Sequence, residues 1–218
     1  MQRLSLLSRL RGSTVEFDFC RDEALAAMAS AETELLQLTD SEIEHSVRTL
    51  RETARSGVPL ADIRDRFFAI VREASRRALG QRPFDEQVLA ALAIDEGHVV
   101  DMQTGAGKTL AAVMPAALNA LTGKGVHVLT FNDYLARRDA EWMGPIYRQL
   151  GLSVDFIQEG MTLDQVTATF GSPGKVDRAA DSDRIESRRW YGLPESDGLA
   201  MIVFRDGVVF GKTQLGLQ

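Results

Sequence analysis

A single cysteine, Cys20, in 218 residues leaves no internal disulfide and no cysteine-cluster metal site to build. Packing alone must hold such a fold, and a reducing compartment is expected. Aromatic residues are sparse at 7%, and Trp142 and Trp190 read as core or interface fillers rather than a ligand cage. His45, His98 and His127 have no partner at ligand spacing, which argues against a histidine metal centre. Excess positive charge is also missing: the formal balance is -6, so no basic field gathers the phosphates of DNA or RNA, and nucleic acid is not an expected partner. Met1 to Arg11 is too short and too interrupted by Arg3, Arg9 and Arg11 to be a signal peptide or a membrane span. Leu4, Leu7 and Leu10 fall at helical spacing beside those cations, which fits either a helix lying on an anionic membrane or one packed on its own domain.

What is present is ordinary globular composition, 44% hydrophobic and 26% charged, enough for one medium domain or two small ones. The N-terminal third reads as helical. Thr39 followed by Glu42 is a capping-box pattern, and Ile43, Val47 and Leu50 recur at helical spacing until Gly57. A second helix is predicted from about Ala61, with Ile63, Phe67, Ile70, Val71 and Ala74 on one face before Gly80. Beyond Gly97 the pattern changes. His98 to Met102, Val126 to Phe131 and Val154 to Ile157 read as short strands. Between them lie an alanine-rich helix that Pro115 should kink and a helix from Tyr134 to Leu150 interrupted near Pro145. That alternation predicts an α/β fold with a parallel sheet.

The tail differs. Thr162 with Gln165 is another capping box, and Leu163, Val166 and Phe170 share a helical face that ends at Gly171. Lys175 to Glu186 reads as loop, and Arg189 to Leu193 as a strand. Leu199 to Phe204 and Val208 to Thr213 flank Asp206-Gly207, a hairpin signal. The expected organisation is thus a helical lead-in and a partial phosphate-loop parallel sheet over 1–159, then a small α+β domain with an antiparallel sheet over 160–218.

The chemistry is concentrated at Thr104, Gly105, Ala106, Gly107, Lys108 and Thr109, between a predicted strand and a predicted helix. Glycines at 105 and 107 let backbone N–H groups approach a polyphosphate, and the following helix adds the positive end of its dipole. Lys108 would contact the β and γ phosphates, and the Thr109 hydroxyl would bind Mg²⁺. Met102 stands where the long form of the motif has its first glycine, so this is the shorter form seen in helicase-like motors. Upstream, the Gln87 amide offers a donor and an acceptor complementary to the N6 amine and N7 of adenine. A nearby aromatic or guanidinium, Phe84 or Arg82, can cover the ring. Taken alone, Gln87 also fits a solvated helix position.

Several strings carry a resemblance: Phe68-Ala-Ile-Val-Arg-Glu-Ala-Ser75, Phe84-Asp-Glu-Gln87, Thr104-Gly-Ala-Gly-Lys-Thr109, Leu118-Asn-Ala-Leu-Thr-Gly-Lys-Gly-Val-His-Val128 and Asn132-Asp-Tyr-Leu-Ala-Arg-Arg-Asp139. From Phe67 to Gly160 the chain resembles the SecA-type preprotein translocase ATPases. The resemblance implies ATP and Mg²⁺ as cofactors, with Gln87 reading adenine and Gly105 to Thr109 holding the phosphates. It further implies that Asn132 to Asp139 couples the nucleotide to the rest of a motor. Expected partners are a translocation channel or a full-length motor of this type. The expected place is the cytoplasm, with peripheral contact at the inner face of the membrane through Met1 to Arg11.

Departures are visible. Gln103 stands where an arginine is common in that family, and Ala106 where a glutamate is common. The loop holds phosphate mainly through backbone N–H groups and Lys108, so binding is expected to survive. No Asp-Glu-x-Asp string follows, and the second motor lobe, the preprotein clamp and the zinc tail have no counterpart in these 218 residues. Little or no hydrolysis by the chain alone is therefore expected. From Gly160 a second resemblance begins. Gly160-Met-Thr-Leu-Asp-Gln-Val166, Gly171-Ser-Pro173, Trp190-Tyr191 and Val203-Phe-Arg-Asp-Gly-Val208 are similar to the SmpA/OmlA-type domain of outer-membrane assembly lipoproteins. Two readings stand for it: a module that merely caps the edge of the sheet, or a small protein-binding module, which gives an alternative function as a non-enzymatic, nucleotide-sensing adaptor.

Overall fold

A computed structural model describes residues 21–178, 184–191 and 199–215. Met1 to Arg11 and Cys20 lie outside the described residues. The order is α1 (Arg21–Leu35), α2 (Asp40–Arg55), α3 (Leu60–Leu79), α4 (Asp85–Asp95), α5 (Lys108–Ala120), α6 (Asp133–Gln149), α7 (Leu163–Phe170), β1 (Lys175–Arg178), β2 (Ile185–Tyr191), β3 (Leu199–Arg205) and β4 (Val208–Leu215).

Helix α3 is the axis of the larger core. Every residue from Phe67 to Ser75 is buried, because α1, α2, α5 and α6 all pack on this one helix. A helix covered on one side needs only an amphipathic stripe, whereas over this enclosed stretch apolar residues occupy every face except where Arg72, Glu73 and Ser75 interrupt them. Each large apolar side chain so buried contributes about 1.5–3 kcal/mol. Capping fixes where the elements begin and end. Thr39 N–H donates to Glu42 Oε2 at 2.7 Å while Glu42 N–H donates to Thr39 Oγ1 at 3.3 Å. Gly80, at φ 69°, ends α3 in the left-handed region.

The class is α/β, but the expected parallel sheet is not formed. His98 to Met102, Val126 to Phe131 and Val154 to Ile157 carry no ladder and belong to no strand. Val99 is 98% and Phe131 94% exposed. The reason lies in α5, whose Leu110, Val113, Met114, Ala117 and Leu118 are buried in or against the helical core. The small side chains of Ala112 and Ala116 line the side toward residues 126–131. Parallel strands need cover on both faces and a paired neighbour, and these segments have neither. The interruption expected near Pro145 is corrected, since α6 runs through it without a break, and α5 likewise continues through Pro115. Packing of both helices on the core outweighs the single backbone bond each proline removes.

The antiparallel sheet is as expected in kind, a meander in the order β1-β2-β3-β4. Asp206 at φ 55° and Gly207 at φ 78° place both turn residues in the left-handed region. This is the type I′ hairpin geometry that suits the twist of β3 and β4. Lys175–Arg178 is a strand rather than loop, because pairing with β2 satisfies its backbone. Helix α7 lays Val166 on Ile202, Phe204 and Val209 to make a second, smaller core. The segment entering α7 joins the sheet: Val209 N–H donates to the Met161 carbonyl at 2.8 Å and Gly160 N–H to the Val209 carbonyl at 2.9 Å.

Candidate functional site

Residues Thr104 to Gly107 turn the chain into α5. Gly105 and Gly107 have φ of 86° and 79°, values that side chains rarely tolerate. Gly107 caps α5 and supplies no side-chain acceptor, so the first N–H groups of the helix keep their donors for an anion. Lys108 Nζ folds back and donates to the Gln103 carbonyl at 2.7 Å, which holds the ammonium over the loop. Thr109 follows one residue into the helix and faces a cleft. Backbone donors at the start of α5, one cation and a hard hydroxyl oxygen are a donor set that fits a polyphosphate with Mg²⁺.

The structure brings Gln87 directly against this loop. Gln87 sits in the first turn of α4 and is buried, so the solvated reading of its position does not hold. Its Oε1 accepts from Phe84 N–H at 2.9 Å, and its Nε2 donates to the Ala106 carbonyl at 2.9 Å. The approach is tight enough that a Cβ on Gly107 would lie 2.1 Å from Gln87 Nε2. Each amide group retains capacity, since Oε1 has a second lone pair and Nε2 a second N–H. Phe84 is 70% exposed at the start of α4. Arg82 is turned to α1, where its Nε and Nη2 donate to Glu32 Oε2 at 2.9 and 2.6 Å.

Beneath this segment lies a polar group that sequence reasoning missed. Arg72 on α3 is 1% exposed. Its Nε and Nη2 donate to the Pro83 carbonyl at 3.1 and 2.8 Å, Nη2 also donates to Asp85 Oδ1 at 2.7 Å, and Nη1 lies 2.9 Å from Glu32 Oε1. Ser75 Oγ donates to the Gln81 carbonyl at 2.6 Å. A signal existed, because Phe68, Arg72 and Ser75 share one helical face and two polar side chains interrupt it. Next to them Glu73 receives Arg76 and Arg77, at 2.7 and 2.6 Å to Oε1. Hydrogen bonding from Arg76, then from Arg77, holds its carboxyl below the usual range against the opposing effect of burial.

The string Asn132 to Asp139 opens α6. Asn132 Oδ1 accepts from Leu135 N–H at 2.9 Å as the helix cap. Asp133 binds Lys212 of β4 and accepts from Glu159 N–H at 2.6 Å, and Lys212 also donates to the Ile157 carbonyl at 2.6 Å. Burial raises the Asp133 carboxyl, but the Lys212 and Glu159 hydrogen bonds outweigh it and leave it below the usual range. Between α5, α6, residues 126–131 and the small sheet is a cleft of about 1850 Å³ that reaches Lys108 and Thr109. Among the described residues there is no His, Cys, Asp and Glu cluster for a metal and no helix long and apolar enough to cross a membrane.

Residues 13–172 match the family described as the SecA DEAD-like domain. Over 141 residues the chain is 49% identical to the chloroplastic protein translocase subunit SECA1 of Arabidopsis thaliana, covering 65% of this chain and 14% of that protein. Over 148 residues it is 47% identical to the protein translocase subunit SecA of Desulforudis audaxviator, covering 68% and 16%. The chloroplastic SecA of Spinacia oleracea is 53% identical over 131 residues, covering 60% and 13%. The chain thus spans only 13 to 16% of the length of these relatives.

Proposed function

Because this chain belongs to the SecA DEAD-like domain family, we propose that it binds ATP with Mg²⁺ and serves protein translocation, hydrolysing little by itself. The observation that carries this reading is the Gln87 amide hydrogen-bonded to the Ala106 carbonyl at 2.9 Å, which brings the base-reading segment onto the phosphate loop. In this reading Gln87 binds the adenine edge, with Phe84 and Arg82 flanking the ring. The backbone of Thr104, Gly105, Ala106 and Gly107 cradles the phosphates, and Lys108 swings from the Gln103 carbonyl to the β and γ oxygens. Thr109 supplies one hydroxyl to Mg²⁺, which when bound offsets phosphate charge.

Ground-state binding needs only these groups. Acceleration needs donors and cations acting on charge that develops in the transition state. These 218 residues carry no Asp-Glu-x-Asp string. Slow or absent turnover follows, with the remaining groups supplied by a partner: a full-length motor of the family or the translocation channel to which it docks. Peripheral contact with an anionic membrane at the cytoplasmic face, through Met1 to Arg11, belongs to the same reading.

A second reading is favoured by the Asp133–Lys212 contact, which ties the start of α6 to β4. In it residues 160–218 form a protein-binding module, and nucleotide in the loop tunes what that module binds, without catalysis.

Calorimetry with ATP and Mg²⁺ on the wild type and on Lys108→Ala, with phosphate release from the same samples, tests the proposal. The expected result is saturable heat in the wild type, at least tenfold weaker binding in the variant, an order set by the loss of one charge-assisted contact of about 1.5–3 kcal/mol, and phosphate release at the variant's level in both. Equal heats would remove the loop from the function, and turnover abolished by the substitution would reveal catalytic groups in this chain.

A further inference from the structure

We propose that Arg72 is a positioning residue for base selection: paired in charge with Glu32 of α1, it sets the place of Pro83 to Gln87 and so the chain's preference for adenine, without touching nucleotide. The inference rests on the ATP-binding reading and names what regulates its base subsite.

Geometry supports it in three steps. Arg72 grips both the carbonyl of Pro83 and the carboxylate of Asp85, so it holds the two sides of the turn that starts α4. Gln87 lies two residues beyond Asp85, within the first helical turn, where no flexible joint intervenes. A displacement of the Asp85 end therefore moves the Gln87 amide with it. The guanidinium is also paired in charge with α1, since Glu32 Oε1 lies 2.9 Å from Arg72 Nη1 without hydrogen-bond geometry. The other oxygen of the same carboxylate holds Arg82 at 2.6 Å. One carboxylate thus sets both the support of the base segment and the side chain flanking the base.

Energetics argue that position is what this arrangement secures. A buried ion pair rarely stabilises more than a well-packed apolar replacement, because two charges must be stripped of water. A methionine in place of Arg72 would fill similar space without that cost. What it would not do is fix the Pro83 carbonyl and the Asp85 carboxylate at once, which needs the planar fork of an arginine. Ser75, bonded to the Gln81 carbonyl at 2.6 Å from the same face of α3, extends the brace by one helical turn.

The test uses the full chain and three probes, ATP, GTP and inorganic tripolyphosphate, each with Mg²⁺. Variants are Arg72→Met, Arg72→Lys and Glu32→Gln. The expected result for Arg72→Met is a loss of about tenfold in ATP-over-GTP preference, with tripolyphosphate affinity within twofold of wild type. Arg72→Lys keeps the charge but not the fork and loses preference similarly. Glu32→Gln, a milder change, carries the test should Arg72→Met fail to fold, and is expected to lower ATP-over-GTP preference with tripolyphosphate binding unchanged. ATP and tripolyphosphate weakening in parallel, in step with lost stability, would mean Arg72 only supports the fold and would overturn the proposal. Wild type that binds tripolyphosphate but does not prefer ATP to GTP would overturn it as well. Wild type that binds none of the probes would overturn this inference together with the ATP reading.

Discussion

Gln87 and Gly107 show how much one contact depends on the smallest side chain. With φ at 79° and a Cβ position 2.1 Å from the Gln87 amide, only glycine lets helix α4 and the loop touch here. Glu73 shows the opposite strategy, a buried charge met from two sides. Replacing it by glutamine is expected to cost about 1 kcal/mol at neutral pH, below the full range of charge-assisted hydrogen bonds because solvent screens the half-exposed Arg76. The sign of the pH effect follows from its carboxyl being held below the ordinary 4.5. The wild-type advantage is fully present above that value and is lost as pH falls through the lowered one. Urea midpoints of wild type and Glu73→Gln should differ at about pH 7 and converge at a pH well below the ordinary 4.5. An equal difference at both pH values would contradict the account. At this scale the glycine turn into α5 was legible because its residues are adjacent in sequence. Arg72 was not, because its partners Glu32 and Pro83 lie on other segments and only the fold brings them to it.

Helix ends are where local chemistry decides most. Asn132 caps α6 by accepting from Leu135 N–H, and Asn132→Ala is expected to cost about 1 kcal/mol. Amide exchange should rise at Leu135 and Ala136 and stay unchanged near Gln149. Unchanged exchange across the first turn would show that the Asp133 contacts with Lys212 and Glu159, rather than the cap, hold this end. Capping boxes at Thr39 and Thr162 were readable for the same reason, since each needs only residues three apart. The 98–102, 126–131 and 154–157 segments were not. Their composition suits strands, but strand formation depends on a paired neighbour and on cover from both sides, and α5 turns its large apolar side chains to the helical core. Pro145 misled for a related reason: it marks a lost hydrogen bond, while burial of Met143 and Ile146 keeps the helix intact around it.

Taken whole, the molecule joins a helical core around α3 to a small antiparallel sheet, with the phosphate loop at the mouth of the cleft between them. Among the described residues the two parts meet where Lys212 and Glu159 reach Asp133, and where His127 stands edge-on to Phe170. On the proposed reading, such a layout holds a nucleotide against a rigid support beside the cleft. The chain belongs to the SecA DEAD-like domain family but spans only 13 to 16% of the length of these relatives, so the activity of those longer proteins does not transfer whole. What the central claim requires is that ATP contact two separated segments at once. The measurement that tests it most directly is an amide chemical-shift titration of the isotope-labelled chain with ATP and Mg²⁺. The account predicts saturable shifts at Gly105 to Thr109 together with Phe84 to Gln87, and with tripolyphosphate the first set alone. Shifts confined to other parts of the chain, or none at saturating nucleotide, would contradict it.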